Sequence, residues 1–147
     1  MKKKWKVILG SAVALMALIQ FVPVQRVNPP VGKDLTASPD VKALLVTSCY
    51  DCHSHQTRWP WYSRVAPVSW LVASDVKEGR AHLNFSEWGS YPEDVQGLMK
   101  TEMYKLAQDG EMPPLPYRLI HHSARVSPAG LDLLKQWGTP GTAVRAP

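Results

Sequence analysis

The sequence predicts a small all-α domain of about four helices, preceded by one N-terminal helix. Apolar residues recur at spacings of three and four residues in several segments, which is the period of an amphipathic helix. Prolines stand where these segments begin and glycines stand where they end, as is usual at helix termini. We find no pair of alternating apolar and polar segments that would indicate strands. The chain of 147 residues has room for one domain and a short appendage.

The appendage is predicted to be residues 1–25. Four lysines lie between positions 2 and 6, and no charged residue follows from Val7 to Val24. This pattern is typical of an export signal or of a transmembrane anchor. Because no small-residue cleavage site follows the apolar run, we expect an uncleaved anchor in the bacterial inner membrane. Positive charge before the run would place the rest of the chain in the periplasm, and cleavage would leave an exported protein.

The rest of the chain divides into three parts. Residues 26–37 are predicted to be a linker, because Pro29 and Pro30 favour an extended chain. Residues 38–138 contain the helical pattern and form the predicted domain. Residues 139–147 are predicted to be a flexible C-terminal tail.

Two helices are predicted in the first half of the domain. The first has Ser38 as its N-cap and Pro39 at its first position, and it runs to the cysteines near residue 50. The second begins at Pro67 and ends near Glu78, before a glycine.

The second half of the domain contains the other two predicted helices. One runs from Pro92 to Asp109, with Gly110 as its C-cap. The last has Ser127 as its N-cap and ends at Gly138.

Charge excludes one class of partner. The net charge is +5, but residues 1–30 contain five basic residues and no acidic one. The remaining residues therefore carry no net charge, and they offer no basic face of the kind that binds nucleic acid.

The most specific motif is Cys49-Tyr50-Asp51-Cys52-His53, which contains both cysteines of the chain. C-x-x-C-H is the attachment signature of a c-type haem. Two thiols at this spacing can form thioethers with the two vinyl groups of a porphyrin, and the histidine can bind the iron. The cofactor predicted is one covalent haem c, with Cys49, Cys52 and His53 holding it.

A second axial ligand is sought among the methionines and histidines. Met112 is preferred, because two prolines follow it and stiffen its loop. Met99 and Met103 lie on the apolar face of a predicted helix, where methionine usually fills the core. The alternative distal ligand is His121.

Two further readings of this region stay open. Cys49, Cys52, His53 and His55 could hold a structural zinc ion, although these ligands would be crowded into seven residues. The aromatic side chains after the motif could pack against a porphyrin or belong to an ordinary aromatic core; they are Trp59, Trp61, Tyr62, Trp70 and Trp88.

Three stretches carry a resemblance to a known family. They are CYDCHSHQTRWPWYS, SWLVASDVKEGRAHLNFSEW and GEMPPLPYRLIHHSARVSPAGLDLLKQW. The chain resembles the bacterial haem-binding domain proteins with a cytochrome c-like CxxCH site, from about Lys42 to Gly138. The resemblance implies a small cytochrome c-like helical domain, covalent haem at the two cysteines, His53 as proximal ligand and Met112 as distal ligand. It also implies a periplasmic location with an N-terminal anchor.

These observations predict a membrane-anchored, periplasmic monohaem c-type cytochrome that exchanges electrons with redox partner proteins on the same membrane. Such a protein is an electron carrier rather than an enzyme. The alternative is a haem-based sensor or a peroxidase-like enzyme, in which the sixth position on the iron is open or labile.

Overall fold

The computed structural model describes residues 2–139. Every regular element in that range is helical, and seven of these elements are α-helices. They are α1 (Lys2–Ile19), α2 (Pro39–Ser48), α3 (Tyr50–His53), α4 (Val68–His82), α5 (Glu93–Gln108), α6 (Leu115–Ile120) and α7 (Pro128–Gly138). Short 3-10 helices span Trp61–Arg64, Phe85–Ser90 and His122–Ala124. Of the predicted tail, all but Thr139 lies outside the described residues.

The prediction of a membrane-spanning N-terminal helix is wrong. Within residues 2–139, no helix is both long enough and apolar enough to cross a membrane. Crossing takes about 20 predominantly apolar residues. The helix α1 has 18 residues, and four of them are the lysines at its start, so its uncharged part is too short.

The prediction of about four helices in the domain is also wrong, because six α-helices follow α1 in the described part of the chain. One predicted helix is interrupted at Cys49, whose φ of −126° leaves the helical range and separates α2 from α3. The helix α6 is not predicted, since its six residues are too few to show a period.

The predicted helix ends are close to those observed. At the start of α7, the Ser127 hydroxyl accepts a hydrogen bond from the Gly130 amide at 3.1 Å. After α5, Gly110 has a φ of +73°, the left-handed conformation that glycine adopts most readily. The helix α4 differs, because it continues through Gly79 to His82.

Residues 26–37, called the strap from here on, are hydrogen-bonded to the domain. The Arg80 guanidinium donates to the Val27 carbonyl and to the Asn28 side chain, both at 2.8 Å. The Leu35 amide donates to the Phe85 carbonyl at 2.9 Å. The strap therefore lies along the domain.

The core contains one cluster of buried apolar side chains next to α3. Its members are Leu35, Val41, Leu45, Tyr50, Leu83, Phe85, Trp88 and Leu134. Phe85 is completely buried and stacks on Tyr50, with ring centroids 4.8 Å apart. The Phe85 ring also meets His53 edge-on at 6.4 Å, so the core supports the helix that carries the C-x-x-C-H motif.

We expect Phe85→Ala to lower the free energy of unfolding by about 3–5 kcal/mol, because it leaves a cavity beneath α3. Urea unfolding followed by circular dichroism measures this change. The control is Leu98→Ala on α5, where the leucine is 71% exposed and the expected change is below about 0.5 kcal/mol. Equal effects of the two substitutions would contradict this description of the core.

Candidate functional site

One large cavity, of about 540 Å³, lies beside α3. This volume is within the range of about 300–1,000 Å³ that is usual for cofactor and small-molecule sites. Its walls come from α2, α4, α5, α7 and the loop before α6, and they are mainly apolar. Among the apolar lining residues are Leu44, Leu83, Met99, Met103, Leu106 and Leu134.

Four of the residues predicted from sequence line this cavity. Cys49, Cys52 and His53 reach it from the end of α2 and from α3, and Met112 reaches it from the loop after α5. Cys49 and Met112 are 63 positions apart in the sequence. The fold therefore brings the motif and the preferred distal methionine to one site.

His53 is oriented by one main-chain carbonyl of α4 and one just after the end of that helix. Its Nδ1 lies 2.9 Å from the Gly79 carbonyl oxygen and 3.2 Å from that of Leu83. Nδ1 must carry the proton to donate these bonds, so the lone pair of the neutral ring is on Nε2. Burial lowers the pKa of His53, which favours this neutral form. A neutral imidazole with its other nitrogen bonded to carbonyls is suited to binding a metal.

The two cysteines are free thiols in an environment that disfavours their ionisation. Burial raises the pKa of Cys49 to about 12. Burial, followed by the nearby Asp75 carboxylate, raises the pKa of Cys52 to about 11. Both side chains therefore stay protonated at neutral pH, and they behave as part of an apolar wall.

Gly79 allows α4 to lie directly against α3. A Cβ atom at this position would be 2.7 Å from the carbonyl oxygen of Cys52 and 3.1 Å from its carbonyl carbon. Both are main-chain atoms, so no side-chain rotation could relieve the clash. The sequence pattern predicts only a helix end before this glycine, but a glycine within a helical pattern can also indicate such a close contact.

Met112 lies on a loop that is bonded back to α5. The Leu106 carbonyl accepts from the Glu111 amide at 3.0 Å and from the Met112 amide at 3.1 Å. Met112 is 39% exposed, whereas Pro113 next to it is buried. The loop thus keeps its conformation while the thioether remains accessible at the cavity.

The alternative ligand, His121, does not line the cavity. Its Nε2 lies 2.5 Å from the Tyr62 hydroxyl, and its ring stacks on Tyr117 at a centroid distance of 4.3 Å. Among the described residues, Met112 lines the same cavity as His53, whereas His121 is engaged by Tyr62 and Tyr117 outside that lining.

The geometry does not support the zinc alternative. His55 has both ring nitrogens engaged, one with the Pro30 carbonyl at 2.8 Å and one with the Asn84 amide at 2.7 Å. Across residues 2–139, no group of three or more His, Cys, Asp or Glu side chains is arranged to hold a metal ion. None of the aromatic side chains considered for packing against a porphyrin is among the cavity-lining residues; these are Trp59, Trp61, Tyr62, Trp70 and Trp88.

Asp51 and Tyr117 are cavity residues to which the sequence analysis gives no role. The Tyr117 hydroxyl donates to the Asp51 carboxylate at 2.8 Å, and both side chains line the cavity. Burial, and then the Asp51 side chain, raise the pKa of Tyr117, so its hydroxyl stays a donor. Because these two residues are 66 positions apart in sequence, no local sequence pattern indicates that they pair.

An unpaired buried hydroxyl indicates that the cavity suits a ligand with polar atoms as well as an apolar body. Ser48 is buried and lines the cavity, and its Oγ has no hydrogen-bond partner within the part of the chain described. A buried hydroxyl without a partner is costly. A haem is an apolar macrocycle with a polar edge, which is compatible with an apolar cavity that contains a free hydroxyl. The cavity also offers two thiols and an available imidazole nitrogen. The residues present therefore fit a haem.

Comparison with known proteins agrees with this chemistry. The sequence model described as haem-binding domain matches residues 14–139, which is most of the chain. No curated protein and no solved structure matches the chain. The likeness to cytochromes c therefore rests on the motif and its surroundings alone.

Gly79→Ala should destabilise the protein by about 1–3 kcal/mol, because the added methyl forces α4 away from α3. The matched control is Gly97→Ala, also within a helix, where an added Cβ meets no atom within 4 Å. That control should stabilise the protein by up to about 1 kcal/mol, through helix propensity. Thermal unfolding of both variants measures the difference, and a Gly79→Ala protein as stable as the parent would refute the close contact.

Proposed function

This chain belongs to the haem-binding domain family, and from that premise we propose that it is a monohaem c-type cytochrome that transfers electrons. One observation carries the proposal: Cys49, Cys52, His53 and Met112 all line a single apolar cavity. These are the side chains that covalent attachment and two axial bonds to one iron would require.

Cys49 and Cys52 are the proposed attachment residues. Cys49 lies at the break between α2 and α3, and Cys52 lies in α3. Both thiols are protonated and held at the cavity wall, where they would meet the vinyl edge of a haem. The short turn between them keeps their spacing fixed, as attachment at two points requires.

His53 and Met112 are the proposed axial ligands. The bonds from His53 to the Gly79 and Leu83 carbonyls set its ring orientation and leave Nε2 for the iron. The thioether of Met112 is a soft and weak ligand, so it depends on a loop that holds it in place. The two hydrogen bonds that the Leu106 carbonyl accepts from the Glu111 and Met112 amides supply that support.

Electron transfer is the function that this ligand set serves best. Bound haem supplies an iron that can gain and lose one electron. The chain's own residues would bind it, exclude water with the leucines and methionines of the cavity, and keep both axial ligands in place. A closed ligand set of this kind suits outer-sphere exchange with redox partner proteins rather than turnover of a substrate.

The proposed location follows from the attachment chemistry. Covalent attachment of haem to C-x-x-C-H takes place on the outer side of the bacterial inner membrane. We therefore propose a periplasmic location, with redox partners on that side.

The attachment residues can be tested by producing the protein in a host that matures c-type cytochromes. We expect the parent to keep its haem through acid-acetone extraction. The Cys49→Ala and Cys52→Ala variants should each shift the reduced pyridine haemochrome band to that of a haem with one free vinyl group. The double variant should keep no haem after extraction. Thr47→Ala, on α2 but outside the cavity lining, is the control, and extractable haem in the parent would contradict covalent attachment.

Met112→Ala tests the distal ligand. We expect loss of the low-spin ferric spectrum and new binding of carbon monoxide to the reduced protein, because one axial position opens. His121→Ala, Met99→Ala and Met103→Ala should keep the parent spectrum. If Met112→Ala is silent and one of the other three is not, the ligand has been assigned to the wrong residue. Carbon monoxide binding by the parent as fast as by Met112→Ala would instead favour the sensor or peroxidase-like alternative.

A further inference from the structure

The loop that carries Met112 is secured to α5 and α6 on its N-terminal side. Its backbone is bonded to the Leu106 carbonyl, and the Arg118 guanidinium donates to the Gly110 carbonyl at 2.8 Å. These contacts are local in sequence. They shape the loop, but they do not by themselves fix its distance from α3.

A second contact joins the following helix to the C-x-x-C-H motif. The Tyr117 hydroxyl, on α6, donates to the Asp51 carboxylate, on α3, at 2.8 Å. Asp51 precedes Cys52 directly, and Tyr117 lies five positions after Met112. This bond therefore joins two cavity-lining residues, one in the motif and one in the segment that follows Met112.

Asp51 is held rigidly enough to act as an anchor. Its carboxylate accepts from the Arg58 side chain at 3.1 Å through both Nε and Nη2, and from the Arg58 amide at 3.0 Å. The Thr57 hydroxyl donates to the Asp51 carbonyl at 2.8 Å. Only 13% of the Asp51 side chain is exposed. A paired carboxylate in this position offers Tyr117 a fixed acceptor.

Tyr117 is held equally on its other side. Its ring stacks on His121 with planes 21° apart, and the His121 ring pairs with the Tyr62 hydroxyl. The tyrosine is thus fixed by its ring as well as by its hydroxyl. Removing the hydroxyl alone would leave the stacking in place, which makes Tyr117→Phe a mild variant.

We propose that Asp51 and Tyr117 are positioning residues, whose hydrogen bond keeps the Met112 segment at a fixed distance from His53. The inference rests on the proposed function, in which Met112 is the distal ligand. It assigns Asp51, the residue before the second cysteine of the motif, to holding that ligand, not to contacting the haem.

A hydrogen bond to a charged acceptor is among the stronger ones in proteins. Without this bond, the fraction of molecules in which Met112 is displaced should rise. The expected rise is about tenfold to a hundredfold. Covalent attachment through the cysteines does not depend on this bond and should be unaffected.

The experiment compares the full-length parent with Tyr117→Phe and the control Tyr104→Phe. Tyr104 is on α5 and does not line the cavity. The readouts are covalent haem on a denaturing gel, the methionine-to-iron charge-transfer band of the ferric protein, and the rate of carbon monoxide binding to the ferrous protein.

The proposal expects Tyr117→Phe to keep its covalent haem, to show a weaker charge-transfer band, and to bind carbon monoxide at least tenfold faster than the parent. Tyr104→Phe should match the parent. If the charge-transfer band and the carbon monoxide binding rate are unchanged in Tyr117→Phe, the positioning role is overturned but the proposed function is not. Absence of covalent haem or of the band in the parent would overturn the proposed function, and this inference with it.

A second pair of variants separates the bond from general destabilisation. If Asp51→Asn and Tyr117→Phe act through one interaction, the double variant should bind carbon monoxide no faster than the more affected single variant. Multiplied effects in the double variant would mean that the two residues act independently, and would overturn the proposal.

Discussion

The packing of α3 against α4 at Gly79 is the contact on which the rest of the site depends. The two helices meet with main-chain atoms so close that only a glycine fits. At the same place, the Gly79 carbonyl accepts from His53 and fixes its ring. Any displacement of α4 would therefore change the His53 orientation, the wall next to Cys52 and the support that Phe85 gives to α3.

The cavity takes the place of part of the core that a domain of this size would ordinarily have. The helix α5 has no fully buried residue, although it carries a regular apolar stripe. Met99, Met103 and Leu106 from that stripe line the cavity, and the two methionines also pack against the core cluster. A small domain gains stability with each apolar surface that it covers. Haem in this cavity would cover these side chains, which links cofactor binding to the stability of the fold.

The sequence allowed prediction of the helices that begin or end with strong local signals. Pro39, Ser127 and Gly110 define termini that the structure reproduces, because capping is a short-range effect. The cysteine motif and Met112 were found in the same way, since both patterns are local.

Other features depend on contacts that no local pattern shows. The strap is held by Arg80, which is more than 50 positions away from Val27 and Asn28 in sequence. The hydrogen bond from Tyr117 to Asp51 joins residues 66 positions apart. The membrane-spanning helix was predicted by counting uncharged residues to Val24, but α1 ends at Ile19, before that run is complete.

The most direct test of the account is the intact mass of the protein under denaturing conditions, after production in a host that matures c-type cytochromes. The account predicts a mass equal to that of the chain plus one haem, with the addition located by peptide fragmentation to the segment containing Cys49 and Cys52. A chain of unmodified mass that releases haem on denaturation would contradict the covalent c-type site, even though the family assignment would stand.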